Sequence, residues 1–455
     1  MAARRMGAEL PRGYWNPVTE RMPREELAAL QWRKLQAQLR HAYQGSRFWR
    51  RRMEESDCGP DQVRSLSDYF SRFPILHRDD ILAAEAEQPP YGSLPSCDPR
   101  LAIRHHQTSG TSGKPPVRTF DTARDWAWAA DMWCTGLYAM GVRPHDRAAV
   151  AFGYGLFIGF WGLHYALEKI GATTIATGSF DSEGRVRLLL EQGITVLACT
   201  PTYALRLALT ARQMGVDLAR EGRVRIVVCS GEPRPEATKR AIAEAFGAFV
   251  GDTAGMTEAA TIFMFECSDE PGGCHIIESD FIEEVLDPDT LRPVAYGEPG
   301  VRVMTSLGRE GIQMFRYWTN DVVVKRPWSD CRCGRTWDWY EGGIRGRHDD
   351  MRKVRGVFFM PVMVEDVIRG FPEVDEFQTL LRTVDELDTL VVRIEPRRDV
   401  PDERHRELQE RVRAEIKRQL SLNPVVELAP PGSLPRFEMK AKRFQDERTR
   451  APAQP

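Results

Sequence analysis

No run of about 20 apolar residues, the length a membrane-crossing helix needs, occurs in the 455 residues. A charge of one sign is lacking too. The chain has 63 Lys and Arg against 65 Asp and Glu, so it lacks the clustered basic excess of a nucleic-acid surface. The arginine-rich stretch 404–418 has glutamates interleaved with it and reads as a solvated helix face. Cysteine is sparse and odd in number, nine in all and scattered. That argues against a disulfide framework and for a reducing cytoplasm. The basic residues within positions 1–5 are followed by no apolar segment, so no secretory signal is read. Internal repeats and low-complexity tracts are absent as well. What remains is an ordinary globular chain, too long for one compact core and expected to form two domains.

The first 80 residues read as helical with proline breaks, Leu27, Leu30, Leu35 and Leu39 being spaced for one helix face. From about 101 to 258 short apolar runs alternate with amphipathic stretches. Candidate buried strands lie at 147–152, 173–176, 195–199 and 225–229, with helical stretches at 157–170, 185–191 and 201–214. Such alternation predicts an α/β layer with a parallel sheet. Residues 281–324 are strand-rich with a Gly-Glu-Pro-Gly turn, which suggests an antiparallel or barrel-like section. A last unit starts near Arg347, with a strand at 391–394, a helix at 402–420 and a polar tail after Asp446 expected to fray.

The sharpest local signal is the string from Thr108 through Ser109, Gly110, Thr111, Ser112 and Gly113 to Lys114 and Pro115. The glycines allow a tight turn that presents backbone N–H groups, the hydroxyls donate to oxyanions, and Lys114 adds a positive charge; together these suit a polyphosphate. It is not a Walker A loop, which has four residues between its glycines and Ser or Thr after the lysine. Here two residues intervene and a proline follows. Read alone, the string is equally a flexible Ser/Gly linker.

The loop has company in a fixed order. Ser230-Gly231-Glu232-Pro233, Asp252 with Ala254-Gly255-Met256-Thr257-Glu258, Tyr317-Trp318-Thr319-Asn320-Asp321, and Gly346-Arg347-His348-Asp349-Asp350 follow it. Together they resemble the motifs of the acyl-adenylating superfamily of acyl-CoA synthetases, luciferases and peptide-synthetase adenylation domains. Tyr14-Trp15-Asn16-Pro17, Gly153-Tyr154-Gly155-Leu156-Phe157 and Pro431-Gly432-Ser433-Leu434-Pro435-Arg436 narrow the resemblance to the phenylacetate–CoA ligase branch, over nearly the whole chain.

The resemblance implies an α/β protein. A large N-terminal domain, 1–347, has parallel sheets flanked by helices plus a β-rich section and carries the ATP and aryl-acid sites. A small mobile α+β lid, 348–455, carries the catalytic lysine. It implies ATP, Mg²⁺ and coenzyme A, a small aromatic acid as substrate, and a homodimer as the default for a soluble enzyme. Thr257 would contact phosphate, Glu258 would hold Mg²⁺, and Asp321 would accept from the ribose hydroxyls with Arg347 beside it. Asp252 and the 230–233 and 254–256 segments would line the adenine. Tyr154, Phe157 and Gly255 would form the acid pocket, flat apolar walls with room between them. Asp349 would be the hinge. Each has a plainer reading: a helix-start carboxylate for Glu258, turn residues for Asp321 and Asp349, core aromatics for Tyr154 and Phe157. Ala254 stands where the family has an aromatic ring near the adenine, and Asn320 where it has glycine.

Cys267, Cys274 and His275 lie close together, and Cys331 and Cys333 follow. Thiolates with one imidazole are tetrahedral zinc chemistry. Some members of the branch carry a similar set, and the preferred ligands are Cys267, His275, Cys331 and Cys333, with Cys274 the spare. Reduced surface cysteines are the competing reading.

Two other functions fit the same residues. The adenylate could pass to a carrier-protein thiol or another nucleophile, or the chain could be a nucleotide-binding protein without catalysis. Lys440 aligns with the lysine that stabilises the adenylating transition state, with Lys442 its competitor because Glu438-Met439 replaces the usual small residue and glycine. Lys440→Ala is expected to abolish adenylate formation and spare thiolysis of a supplied acyl-adenylate. Pyrophosphate exchange that is unchanged in this variant would remove Lys440 from the role.

Overall fold

Short apolar runs closed by turns become strands of one sheet in the computed structural model, which describes residues 13–108, 115–153, 155–232, 234–384, 387–436 and 443–448. The chain opens with helices, the longest being Arg24–Gly45, in which Leu27, Leu35 and Leu39 are buried. A hairpin of β1 (Arg104–Gln107) and β2 (Arg118–Asp121) follows, Gln107 lying opposite Arg118. The two ends of the glycine-rich stretch are therefore held close together.

Next come β3 (Arg147–Val150), β4 (Thr173–Ala176), β5 (Val196–Cys199) and β6 (Ile226–Cys229), each joined to the next by helix. The four runs predicted from sequence are these strands, shortened by up to two residues. Local chemistry sets the helix ends. Thr122 and Asp125 form a reciprocal capping box at Ala123–Ala139. Gly171, at φ 91°, closes Gly159–Ile170 in the left-handed conformation. Pro201 opens Pro201–Gln213, where Thr200 accepts from the Tyr203 N–H.

The sheet continues through β7 (Phe249–Met256), β8 (Thr261–Glu266), β9 (Gly273–Ile276), β10 (Phe281–Leu286), β11 (Pro299–Ser306), β12 (Tyr317–Arg326), β13 (Trp339–Glu341) and β14 (Gly346–Arg347). The spatial order is β10-β11-β12-β13-β9-β8-β7-β6-β5-β3-β4, with β14 on β12. From β4 to β7 the pairing is parallel, and from β7 onward antiparallel. The strand-rich section predicted for 281–324 is thus continuous with the parallel layer, and it begins earlier, at β7. Chain order reverses between β3 and β5, so the crevice at their carboxyl ends is where an open α/β sheet takes a ligand.

After β14 come a hairpin of β15 (Arg352–Val354) and β16 (Val357–Phe359), the helix Pro361–Arg369 and a second sheet. It contains β17 (Val374–Val384), β18 (Leu387–Pro396), β19 (Val425–Leu428) and β20 (Phe444–Asp446), in the order β19-β18-β17-β20, covered by the helix His405–Leu420. This part has its own core, in which Val364, Ile368, Leu381, Val392, Val412 and Ile416 are all fully buried. The tail expected to fray is held at its start: Arg448 pairs with Asp388 at 2.7 Å and Asp446 at 2.7 Å, and the Glu447 N–H donates to Leu381 O at 2.8 Å. Among the described residues no helix is long and apolar enough to cross a membrane.

Candidate active site and metal centre

Ser109, Gly110, Thr111, Gly113, Lys114, Tyr154, Pro233, Lys440 and Lys442 lie outside the described residues. Of the remaining predicted residues, Thr108 follows β1, Phe157 follows β3, Ser230 to Glu232 follow β6, Asp252 to Glu258 lie on and after β7, Asp321 lies on β12, and Arg347 and Asp349 lie on and after β14. Cys229 of β6 is in register with Asp252 of β7. The segment leaving β6 is tied to β7 by the Ser230 hydroxyl, which donates to Thr253 O at 3.2 Å. Gly231 turns there at φ 87°, and Glu232 accepts from the Thr202 N–H at 3.2 Å.

Asp252 and Ala254 lie on β7, and Thr257 and Glu258, both buried, form the turn after it. Glu258 Oε1 accepts from the Tyr317 hydroxyl at 3.2 Å and lies 3.6 Å from Arg78 Nη1. Arg78 also donates to Thr108 Oγ1 at 3.3 Å and to Pro115 O at 3.1 Å. One guanidinium thus joins both ends of the glycine-rich loop to Glu258. Sequence reasoning missed Arg78: its partners are remote in the chain, and no spacing rule reports such contacts.

Asp321 sits on β12 under a buried ion network. Arg302 Nη2 donates to Glu283 Oε1 at 2.6 Å, Arg302 Nη1 lies 3.6 Å from Asp321 Oδ2, and the guanidinium carbon is 3.4 Å from the Phe263 ring centroid. Burial raises the Asp321 carboxyl above its ordinary value, while Arg302 and Arg347 pull it down. Arg347, opposite Asp321 in the β12–β14 ladder, is 3.8 Å from Asp321 Oδ1 and grips Asp349 in a fork with both contacts at 2.8 Å. Asn320 has φ 65°, a left-handed conformation that glycine adopts freely and asparagine tolerates. Its Oδ1 accepts from Trp318 Nε1 at 3.0 Å. The departure from glycine at this position is therefore conformationally silent.

The described part of the acid-pocket segment is aromatic and roomy. Phe157 packs edge-on against Phe160 at 4.8 Å, and a Cβ placed on Gly153 or Gly159 would meet no atom within 4 Å among the described residues.

On the opposite side of β8 and β9, Cys267, His275, Cys331 and Cys333 come together. All four are buried, and their ligand atoms lie within 4.8 Å of one another. Cys267 and Cys331 Sγ are 3.7 Å apart, close to the edge of about 3.8 Å that zinc–thiolate bonds give a tetrahedron. Cys333 Sγ is 3.2 Å from His275 Nε2. His275 Nδ1 meets Trp337 O at 3.0 Å, the outer hydrogen bond that fixes a ligating imidazole. Cys274, one residue along β9, points to the other face beside Asp252 and Gly343. The donor set and its spacing fit a four-coordinate zinc.

The profile of the AMP-binding enzyme family matches residues 79–306, and that of the AMP-binding enzyme C-terminal domain matches 356–448. A phenylacetate-coenzyme A ligase of Thermus thermophilus is 35% identical over 442 residues, which span 93% of this chain and 97% of that protein. The crystal structure of 2-hydroxyisobutyryl-CoA ligase in the postadenylation state with its acyl-AMP has a TM-score of 0.90 at 28% identity, covering 97% of this chain and 94% of that one. The same enzyme with coenzyme A in the thioesterification state, at the same identity and coverage, gives 0.72. The arrangement of this chain follows the former state.

Proposed function

The chain belongs to the AMP-binding enzyme family and to its phenylacetate–coenzyme A ligase branch, and we propose that it activates an aromatic carboxylic acid with ATP and passes the acyl group to coenzyme A. The observation that carries this reading is that Arg78 joins both loop ends to Glu258, which is bonded through Tyr317 to β12, the strand that carries Asp321. Phe157 and the open space at Gly153 and Gly159 support a flat apolar acid.

A carboxylate is a poor acyl donor because its leaving group is oxide. In the first half-reaction the acid's oxygen attacks the α-phosphorus, the α–β phosphoanhydride bond breaks, and pyrophosphate leaves. In the second a thiolate attacks the acyl carbon and AMP departs. Glu258, a buried hard-oxygen ligand, would hold Mg²⁺, which neutralises phosphate charge when bound. Thr257 and the glycine-rich loop would bind the phosphates, and Asp321 would grip the ribose diol, oriented by Arg302 and Arg347. Lys440 would supply a cation for the first half-reaction only. Arg436, bonded to Asp375 at 2.6 Å, and Arg443, bonded to Glu376 at 2.7 Å, anchor the described chain on either side of it. The domain boundary is placed at 347/348, with Asp349 the hinge. Every cysteine is a free thiol, which supports a reducing cytoplasmic setting.

Pyrophosphate exchange with a panel of benzoates, arylacetates and short aliphatic acids tests the substrate class. We expect exchange with at least one aryl acid and AMP release on adding coenzyme A; exchange confined to aliphatic acids would overturn the aromatic reading. Arg78 acts here as a positioning residue, holding the loop ends against the carboxylate that takes the metal. Arg78→Met is expected to lower the exchange rate by about 100-fold, the scale of losing one preorganised charged contact, and to leave thiolysis of supplied acyl-adenylate intact; equal loss in both half-reactions would mean a general structural defect. Elemental analysis of protein purified without added metal is expected to give one zinc per chain, lost in a Cys331→Ser, Cys333→Ser double variant. Well-folded wild-type protein without zinc would end the proposal of a metal centre.

A further inference from the structure

The segment proposed to form the acid pocket, between β3 and the helix Gly159–Ile170, has no regular secondary structure of its own, so its shape is set from outside. Trp161 Nε1 donates to Gly155 O at 2.9 Å. Leu156 O meets the end of β1 twice, accepting from the Gln107 N–H at 2.9 Å and lying 3.2 Å from His106 Nδ1. The side chains at these two positions hold nothing in place: Gly155 has none, and Leu156 is 52% exposed. Phe157 follows directly, and a Cβ on Gly155 would lie 3.3 Å from its ring. The direction of the two carbonyls therefore decides where the Phe157 ring stands.

The His106 ring is 2% exposed and stacks on Trp126 at 5.7 Å and 24°. Burial pushes its pKa down to about 4, the Leu156 contact opposing the shift, so the ring is neutral and has one N–H. A carbonyl only accepts, which puts that proton on Nδ1. Nε2 is left facing Asp121 Oδ2 at 3.8 Å, and Arg309 Nη2 grips the other Asp121 oxygen at 2.7 Å. Nε2 and Oδ2 are both buried without a hydrogen-bond partner among the described residues. An apolar ring of similar shape would fill the same space and avoid that cost. What the imidazole adds is its bond to Leu156. We infer that His106 is a positioning residue for acid binding, fixing the acid-pocket segment against the strand end that leads into the glycine-rich loop. This rests on the proposed acid pocket and deepens it.

The test compares His106→Phe with His106→Asn in pyrophosphate exchange by the full chain, titrating the acid and ATP separately. Phenylalanine keeps a ring against Trp126 and loses the donor, whereas the asparagine amide nitrogen takes the place of Nδ1. We expect His106→Phe to raise KM for the acid about three- to tenfold, the scale of one hydrogen bond, with KM for ATP within about twofold. His106→Asn is expected to stay within about twofold of wild type for both. Asparagine behaving as phenylalanine does, the two KM values rising together, or neither moving would overturn the inference. Should His106→Phe fail to fold, as read by circular dichroism, nitrogen NMR of the histidine-labelled wild-type chain decides. The resonances absent from His106→Asn are expected to report a neutral ring protonated on Nδ1 and to shift when the acid is added; a proton on Nε2, or no shift, would overturn the inference. Exchange confined to aliphatic acids would overturn the aromatic reading alone, and the same comparison made with such an acid still decides the role of His106. A wild-type chain that exchanges with no acid would overturn the adenylation reading, and the inference with it.

Discussion

A Cβ at position 255 would lie 2.6 Å from the Thr261 carbonyl oxygen, and the rest of the site depends on that close approach. β7 pairs parallel with β6 on one side and antiparallel with β8 on the other. The ladder slips by one residue between Ala254 and Gly255, Phe263 of β8 being the extra residue, and such a bulge bends the pair and increases its twist. Asp252 and Ala254 precede the slip and Thr257 and Glu258 follow it, so a single strand carries both the residues proposed to line the adenine and those proposed to meet phosphate and metal. A larger residue at 255 would push β8 away, and with it Glu266, which holds Arg234, and Cys267 of the metal cluster. The proposed nucleotide site and the Cys/His cluster are thus two faces of the same two strands.

Around this strand the chain buries more charge than stability alone would favour. Arg302 with Glu283, Arg309 with Asp121, and Glu266 with Arg234 and Lys239 are removed from water at a desolvation cost that apolar residues of similar volume would avoid. Each network also holds a group that the proposed chemistry needs in one orientation. Arg302 sets Asp321, Glu266 holds the Asp252 N–H, and Arg309 with Asp121 braces the strand that returns from the glycine-rich loop. Fixed dipoles and charges that need no reorganisation at the moment of reaction are what an adenylating site requires.

Much of this was legible in the sequence because the relevant residues sit in short loops directly after strands, where position in the chain and position in space coincide. The 230–232 segment, the 254–258 turn and Asp321 could be singled out that way, and Cys267, His275, Cys331 and Cys333, which the fold does bring together, stood out because soft ligands are rare. The continuity of the sheet was not legible, since antiparallel partners such as β9 and β13 are separated by more than 60 residues and the strand pattern does not report pairing. Arg78 and Arg302 were missed for a related reason. An arginine on a surface helix and one buried against a carboxylate look alike until the fold brings the carboxylate to it. Asn320 was flagged as a departure from the family pattern, and only the backbone angle explains why it is harmless.

The same distinction between buried and exposed ion pairs bears on how the proposed lid would move. Asp349, the proposed hinge, is held by a fork to Arg347 that is 43% exposed on the arginine and 51% on the aspartate. Pairs of that exposure contribute about 0–1 kcal/mol, so releasing one costs little. Arg347 can then stay with Asp321 while the chain beyond it turns. On the lid side the anchors are of the other kind: Glu376 is buried beneath Arg443, and Glu395, 1% exposed, takes Arg436. A lid built this way would swing as a unit about a weak joint, carrying the lysine-bearing segment with it. The buried ion pairs named here lie inside each part and the exposed one lies at the proposed joint, which is the distribution a two-pose enzyme needs.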